Sequence, residues 1–589
     1  MSAASETMLG SSGKRAAGFR SLSPLWLIAP GVAFLGFLMV FPVVQLLSVS
    51  VRDPASGAWS LAAYYKIFAS PTYLRVLSTT FVLSLETTVL ALVIGYPIAY
   101  WLAGLSERRR GVLMLLVLIP FWMSSLVKNF VWLVLLGRTG IAVKIAVALG
   151  ASADIEFLFS HMTVLFGMVH TMLPLAIIPM LPTMLAVDKR LPLAAETLGA
   201  SPAHAFWRVF FPLSMPGVAA AGLLVLVASL GFFVTPALIG SPQETMIGQV
   251  IISQILALHN WPLGAALTSL LIAAALAMCL VYNWLFGLSA ISGASASARQ
   301  SNPVTRRFGT ALLKLIATAH AGLFERPGKA SAGSRFGWPL RLYAGFVVAL
   351  LLLPMVALLP MALTTSTFLS FPPPLFSTKW FEAYLGSPIW MAATVRSFAI
   401  GFACACLTML ITFPAAYGVA RSGGRLGAAA FLFFMAPMII PAIGVSLALF
   451  YLLAQLKLVA SDTGIVLGHT VLAIPTAFVI MLATMKSYDW RLNDAAATLG
   501  AGRWRTVLRV GLPLMKGGVI AGMIFAFLLS FDELTVVMFV GAGFKVTVPK
   551  QMWDDIQLQL TPTLAAASVF VLLIVVTLFL IAEYVRPRK

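Results

Sequence analysis

Charge is what this 589-residue sequence has least of: Asp, Glu, Lys and Arg make up 10% of it, against 60% hydrophobic residues. Soluble domains carry about a quarter charged residues, so a water-soluble fold is excluded. Acidic residues are the scarcer sign, 19 against 39 Lys and Arg, for a net charge of +20. Cysteine occurs three times, at Cys279, Cys404 and Cys406, always in apolar runs. That pattern indicates neither a disulfide framework nor a metal cluster. A GxxxxGK[ST] phosphate loop is missing too. The nearest string, RPGKASAG at 326–333, lacks both the spacing and the hydroxyl.

What is present is a series of long apolar runs. Twelve can cross a hydrocarbon core of roughly 30 Å as helices. They lie near 25–50, 77–103, 110–136, 160–186, 216–240, 262–288, 339–364, 394–420, 426–455, 464–485, 516–541 and 562–585. The runs are continuously apolar rather than alternating, which selects helices over a barrel. With both termini in the cytoplasm, most basic residues fall inside, including Arg108–Arg110, Arg503, Arg505, Arg509 and Arg586. The basic excess therefore reflects topology in a lipid bilayer and not a nucleic-acid partner. The first run is longer than a signal-peptide core and reads as a retained span.

The chain writes one polar segment twice. MLPTMLAVDKRLPLAAETLGAS (180–201) and MLATMKSYDWRLNDAAATLGAG (481–502) share 13 of 22 residues at an offset of 301. Each copy runs on to a proline, Pro212 or Pro513. Six runs per half, an even number, make the repeat parallel about an axis along the membrane normal. YPIAY (96–100) answers FPAAY (413–417), and Pro120 answers Pro437. The expected organisation is a cytoplasmic tail at 1–24, a first domain at 25–288, a basic Ser/Ala/Gly-rich linker at 289–338 and a second domain at 339–589. Phe308, Leu312, Leu315 and Ile316 in the linker are spaced as on an amphipathic helix at the inner leaflet.

Each repeated segment predicts a thin helix stopped by glycine, Gly199 or Gly500, followed by a second helix that Pro212 or Pro513 ends or kinks. Such a helix-turn-helix of small residues suits insertion into a partner's cleft. The pattern resembles the EAA motif of ATP-binding-cassette importer permeases: Glu-Ala-Ala, three residues, Gly, nine residues, a hydrophobic residue, one residue, then Leu-Pro. The second copy follows it through Asp494, Ala495, Ala496, Gly500, Leu512 and Pro513. The first follows with Ala194, Ala195, Gly199 and Pro212 but has Leu193 in place of Glu and Phe211 in place of Leu, with Glu196 three residues on.

IPFWMSSLVKNFVWLVLLGRTG (119–140) and GFFVTPALIGSPQ (231–243) look like the first permease subunit of spermidine/putrescine-type importers. SFDELTVVMFVGAG (530–543) and VPKQMWDDIQLQLTPTLAA (548–566) look like the second. The resemblance implies an all-α polytopic membrane protein: two parallel six-helix type I permease domains, fused, in a bacterial inner membrane. It implies coupling helices at the repeated segments, seated on ATPase subunits that form a homodimer and use ATP and Mg. It also implies an extracytoplasmic solute-binding protein. No catalytic residue, metal or bound cofactor is expected in this chain.

Ionisable groups inside spans are costly and point to function. Glu86 and Lys128 lie at similar depth on consecutive spans, which allows an ion pair between them. Asp532 and Glu533 sit in the eleventh run, where the first half has Gly231 and Phe232. One or both are candidates for attracting a cationic solute, with Phe121, Trp122 and Trp132 as cation-π surfaces. His170 and His469 read as packing residues. A polyamine or related amine is the expected solute; ferric iron, opines and aminoalkylphosphonates are the alternatives within the family. An ion-coupled secondary transporter predicts a GxxxDRxGRR loop after the second span, where this chain has LSERRRG.

Overall fold

The computed structural model describes residues 24–53, 56–152, 154–286, 314–319, 322, 337–369, 371–373, 375–422 and 424–585. The described residues are helical throughout their ordered elements; the main helices fall into two matching sets of ten, with short helices at Ala62–Ala69, Ile141–Ala148 and Lys379–Gly386 between them. The first set is α1 (Ala29–Ser50), α2 (Pro71–Ala103), α3 (Glu107–Trp122), α4 (Ser125–Leu136), α5 (His161–Ala186), α6 (Arg190–Thr197), α7 (Pro202–Leu230), α8 (Val234–Ile239), α9 (Ile247–Ala257) and α10 (Trp261–Phe286). The second is α11 (Gly337–Ala362), α12 (Pro388–Arg421), α13 (Gly424–Ile439), α14 (Ala442–Gln455), α15 (Asp462–Ser487), α16 (Arg491–Thr498), α17 (Trp504–Asp532), α18 (Thr535–Val540), α19 (Val548–Leu558) and α20 (Pro562–Val585). The linker residues expected to form an amphipathic helix lie outside the described residues, apart from a short helical stretch at 314–319.

The offset between the halves changes along the chain. Pro71 answers Pro388 and Glu107 answers Gly424, 317 residues apart, whereas His161 answers Asp462 and Trp261 answers Pro562, 301 apart. The first half spends the difference before α5, on a segment holding a short helix at Ile141–Ala148. The second half turns directly from α14 into α15.

Among the described residues, ten helices qualify as spans by length and apolarity, and the pair α13–α14 adds an eleventh. Helix α20 stands where the twelfth is expected. Several expected continuous spans are broken, however. The run at 110–136 divides at Met123–Ser124, and its counterpart bends by 94° between α13 and α14. Pro120 and Pro437 lie inside the last turns before these breaks, and Pro441 opens α14, so missing N–H groups sit where the ladder stops. The run at 516–541 divides at Glu533–Leu534, and that at 216–240 at Gly231–Phe233.

Helices α9 and α19 were not expected as separate elements. Each is pinned to the second helix of its own half by one hydrogen bond. The Ile247 N–H donates to Thr80 Oγ1 (2.9 Å) and the Val548 N–H donates to Ser397 Oγ (2.8 Å). A first-turn N–H has no partner within its helix, so a hydroxyl on a neighbour supplies one.

The first helix of each half crosses to the other. Helix α1 packs on α10 but also on α12, α13 and α14, and Gly31 lets it approach the Phe434 ring closely. Helix α11 packs on α20 and on α2, α3 and α4. The Tyr343 hydroxyl donates to Ile94 O (3.0 Å), and His170 Nε2 lies 3.3 Å from Leu350 O. The two halves are thus clasped by exchanged helices.

Candidate coupling and pathway sites

The repeated segments fold as matching helix-turn-helices. Asp188 Oδ1 accepts from the Arg190 N–H (2.9 Å) and Asp489 Oδ1 from the Arg491 N–H (3.0 Å), starting α6 and α16 alike. Thr197 and Thr498 hydroxyls donate to Ala194 O and Ala495 O at 2.8 and 2.7 Å. Gly199 and Gly500 take φ of +88° and +82°, the left-handed conformation that ends a helix without strain on a side chain. Neither α6 nor α16 buries a residue, and Leu198 and Leu499 are 89% and 88% exposed. Ala194, Leu193, Asp494 and Ala495 are exposed, while Ala195, Glu196 and Ala496 are half-buried.

Pro212 and Pro513 do not end the following helices. A π-turn precedes each, closed by the Phe211 N–H on Phe206 O and the Leu512 N–H on Val507 O. The wider turn takes up the hydrogen bond that proline cannot donate, and α7 and α17 continue into the membrane.

The two segments are braced differently. In the first half, Tyr96 and Tyr100 meet Phe206 edge-on, with ring centroids 6.3 and 5.2 Å apart, and the Tyr96 hydroxyl lies 2.9 Å from Ser214 Oγ. In the second, Trp490 is flanked by Tyr417 (5.1 Å) and Tyr488 (5.0 Å), and the Arg421 guanidinium lies over its ring at 5.1 Å. Burial, with Tyr417 and Asp489 nearby, pushes the Tyr488 phenol up, and its hydroxyl donates to Asn493 Oδ1 at 2.6 Å. The tyrosines of YPIAY and FPAAY therefore tie the second helix of each half to its polar segment, a role their repetition alone did not reveal.

The intramembrane charges do not pair as expected. Glu86 Oε2 lies 2.8 Å from His161 Nε2 at the α2–α5 contact, and Lys128 is not its partner. The depth argument assumed an unbroken helix through 110–136, and the break at Met123–Ser124 turns α4 inward. Lys128 is 3% exposed, and its Nζ donates to Pro120 O (3.3 Å) across that break. A carbonyl left over at a helix end is a natural partner for a cation.

Asp532 and Glu533 also do different things. Glu533 caps α18: its carboxylate accepts from the Thr535 N–H (2.9 Å), the Val536 N–H (2.8 Å) and the Thr535 hydroxyl. His469 stands behind it, with Nε2 3.4 Å from Glu533 Oε2 and Nδ1 2.7 Å from Ser530 Oγ. Asp532 ends α17, lies deep between the halves and still keeps accessible surface. It lines a narrow cavity with Trp122, Ser124, Phe531, Pro549 and Met552. Trp122 crosses the interface to Phe525, with centroids 4.7 Å apart. Phe233 meets Trp553 of α19 in the same way at 5.6 Å, so α19 also faces the interface.

Ten apolar helices of spanning length among the described residues, two exposed polar helices and a clasped pair of matching helix bundles define a two-domain, all-helical membrane protein. The family profile for binding-protein-dependent transport system inner membrane components matches residues 91–290 and 408–589, well over half of the chain. The chain belongs to that family and contains its domain twice. It is 33% identical over 262 residues to the spermidine/putrescine transport system permease protein PotB of Escherichia coli (strain K12), covering 43% of this chain and 94% of that protein. The protein of that name from Haemophilus influenzae is 34% identical over 242 residues, covering 40% and 84%. A solved structure of a bacterial alginate ABC transporter in complex with an alginate pentasaccharide-bound periplasmic protein aligns at 17% identity and a TM-score of 0.39, covering 44% of this chain and 94% of that one.

Proposed function

We propose that this chain is the fused permease component of an ATP-driven importer that carries a polyamine or related amine into the cytoplasm. One observation carries the choice of solute: Asp532, an accessible carboxylate at a helix break between the halves, lines one narrow cavity together with Trp122. A carboxylate next to an aromatic ring recognises an ammonium group by charge and by cation-π attraction. The likeness to spermidine/putrescine permeases supports the same reading. Helices α6 and α16 seat in grooves of a homodimeric ATPase, which binds ATP and Mg, and a solute-binding protein delivers the amine outside. Both termini are cytoplasmic, and the two domains occupy 25–288 and 339–589. Ala194, Ala195, Glu196 and Gly199, with Asp494, Ala495, Ala496 and Gly500, transmit ATPase closure mechanically.

The test is reconstitution of the chain with its ATPase and binding protein in proteoliposomes, followed by ATP hydrolysis against a panel of solutes. Stimulation by spermidine or putrescine is expected. Stimulation by an uncharged or anionic solute alone overturns the amine assignment.

A further inference from the structure

A groove of about 550 Å³ opens between α12, α17 and α20 in the second half. Phe398, Phe402, Met523, Phe527 and Phe570 line it, and Thr577 is its only polar side chain. Its floor is the Phe527 ring, which lies against Gly401, where an added Cβ would come within 2.9 Å of the ring. Phe398 closes one side, with its ring centroid 5.9 Å from that of Phe527. On the rim Phe402 is 63% exposed, so the groove opens on the apolar surface that the spans present to lipid.

The first half does not repeat this surface. Phe402, Phe527 and Phe570 answer Leu85, Leu226 and Ser269, and only Phe398 keeps its ring, as Phe81. The place for the floor ring goes as well, because Gly401 answers Ser84. One charge accompanies the rings: Lys516 stands where the first half has Met215. Lys516 is exposed and forms no ion pair or hydrogen bond among the described residues. On α17 it precedes Met523 by seven residues and Phe527 by eleven, so all three share one face of the helix. At 1.5 Å per residue it lies about 10 and 16 Å from them along the axis, towards the polar helix α16. One leaflet holds about 15 Å of hydrocarbon, so a charge at its boundary and a groove at its depth are in register.

We propose that this groove binds an anionic phospholipid of the leaflet facing α6 and α16. Lys516 holds the phosphate, and one acyl chain runs along α17 over the Phe527 ring. The flexible lysine stem stays against the apolar wall while its ammonium reaches the headgroup. The solute amine has no place here, because no carboxylate lines the groove. The lipid wedges between α12 and α20 against α17, the helix that leads from the second polar segment to Asp532. The inference goes beyond the importer reading and does not depend on which solute is carried.

The test uses the purified chain in detergent, stripped of lipid, and reads bound lipid by native mass spectrometry. Dioleoylphosphatidylglycerol is the anionic probe; dioleoylphosphatidylcholine, with the same chains and no net charge, is the neutral one. Wild type is expected to bind the anionic lipid at least threefold more tightly. Lys516→Gln brings the two lipids within twofold of each other. Thr577→Phe fills the groove and weakens both lipids at least threefold with Lys516 still in place. Equal affinities in wild type, or an unchanged preference in Lys516→Gln, show annular lipid only and overturn the headgroup site. Unchanged binding by an intact Thr577→Phe overturns the groove. Should Thr577→Phe not fold, wild type is labelled with phosphatidylglycerol carrying a mid-chain diazirine, and the crosslinks are mapped by peptide mass. Crosslinks concentrated at Phe398–Ala405 and Phe570–Leu578 support the site, and an even spread over the lipid-facing helices overturns it. A dimer mass that phosphatidylglycerol leaves intact means that a second copy fills the groove, and overturns the lipid assignment.

Discussion

Gly231 and Pro441 touch across the two halves, so one pair of helix breaks is closed by contact between backbone and ring. Only glycine fits there, because the opposing atoms belong to a rigid residue. Gly231→Ala must push the halves apart or shift α7, and overpacking of this kind costs about 1–3 kcal/mol. A lowered melting temperature of the detergent-solubilised complex checks this. An unchanged melting temperature would show that the contact yields freely.

The adjacent carboxylates should separate by phenotype. Asp532→Asn is expected to keep assembly and melting temperature while losing uptake. Glu533→Ala removes the cap of α18 and should cost about 1–2 kcal/mol, the range for a lost helix cap, with uptake falling only as folded protein falls. Measuring uptake per assembled complex separates the two, and equal specific activity for both variants would contradict the assignment.

Glu86 is a candidate that the tertiary structure moves away from the interface. Its pairing with His161 is two-fifths exposed on each side, a setting in which ion pairs contribute about 1 kcal/mol or less. Glu86→Gln should therefore retain uptake within about twofold. Loss of uptake in an intact complex would return Glu86 to the pathway.

Trp490 braces helix α16, the second of the two proposed docking helices. Trp490→Ala removes two edge-on aromatic contacts, each worth about 0.5–1.5 kcal/mol, and the stacked Arg421. Helix α16 should then still bind ATPase but transmit its closure poorly. The expected signature is ATP hydrolysis that persists while solute uptake per ATP drops severalfold. A fall in both together, with the complex dissociating, would mean that Trp490 serves docking instead.

Much of this was legible along the chain because it depends on local pattern. The Gly199 and Gly500 stops follow from glycine's freedom at positive φ, and the thin helices before them follow from Ala-Ala runs beside Thr and Leu. Of the two outcomes expected at Pro212 and Pro513, an end or a kink, the helix does not end: a π-turn directly before each proline accommodates its missing N–H. Continuous spans were assumed through Ser124 and Glu533, since apolarity does not report a break that neighbouring helices stabilise. The Trp553 contact was missed for the same reason: nothing in VPKQMWDDIQLQL says which surface it covers.

Composition and repetition by themselves determined that the chain is a membrane-embedded, all-helical protein built of two like halves with two exposed polar segments. Those properties follow from how apolar residues and helix stops recur within a few tens of positions. Only the tertiary structure decided that the first helices are exchanged, that Glu86 belongs to His161, and that Gly231 meets Pro441 across the halves. Such pairings join residues far apart in the chain and are set by how two rigid bundles pack. A sequence pattern records the faces of a helix but not which neighbour will meet them.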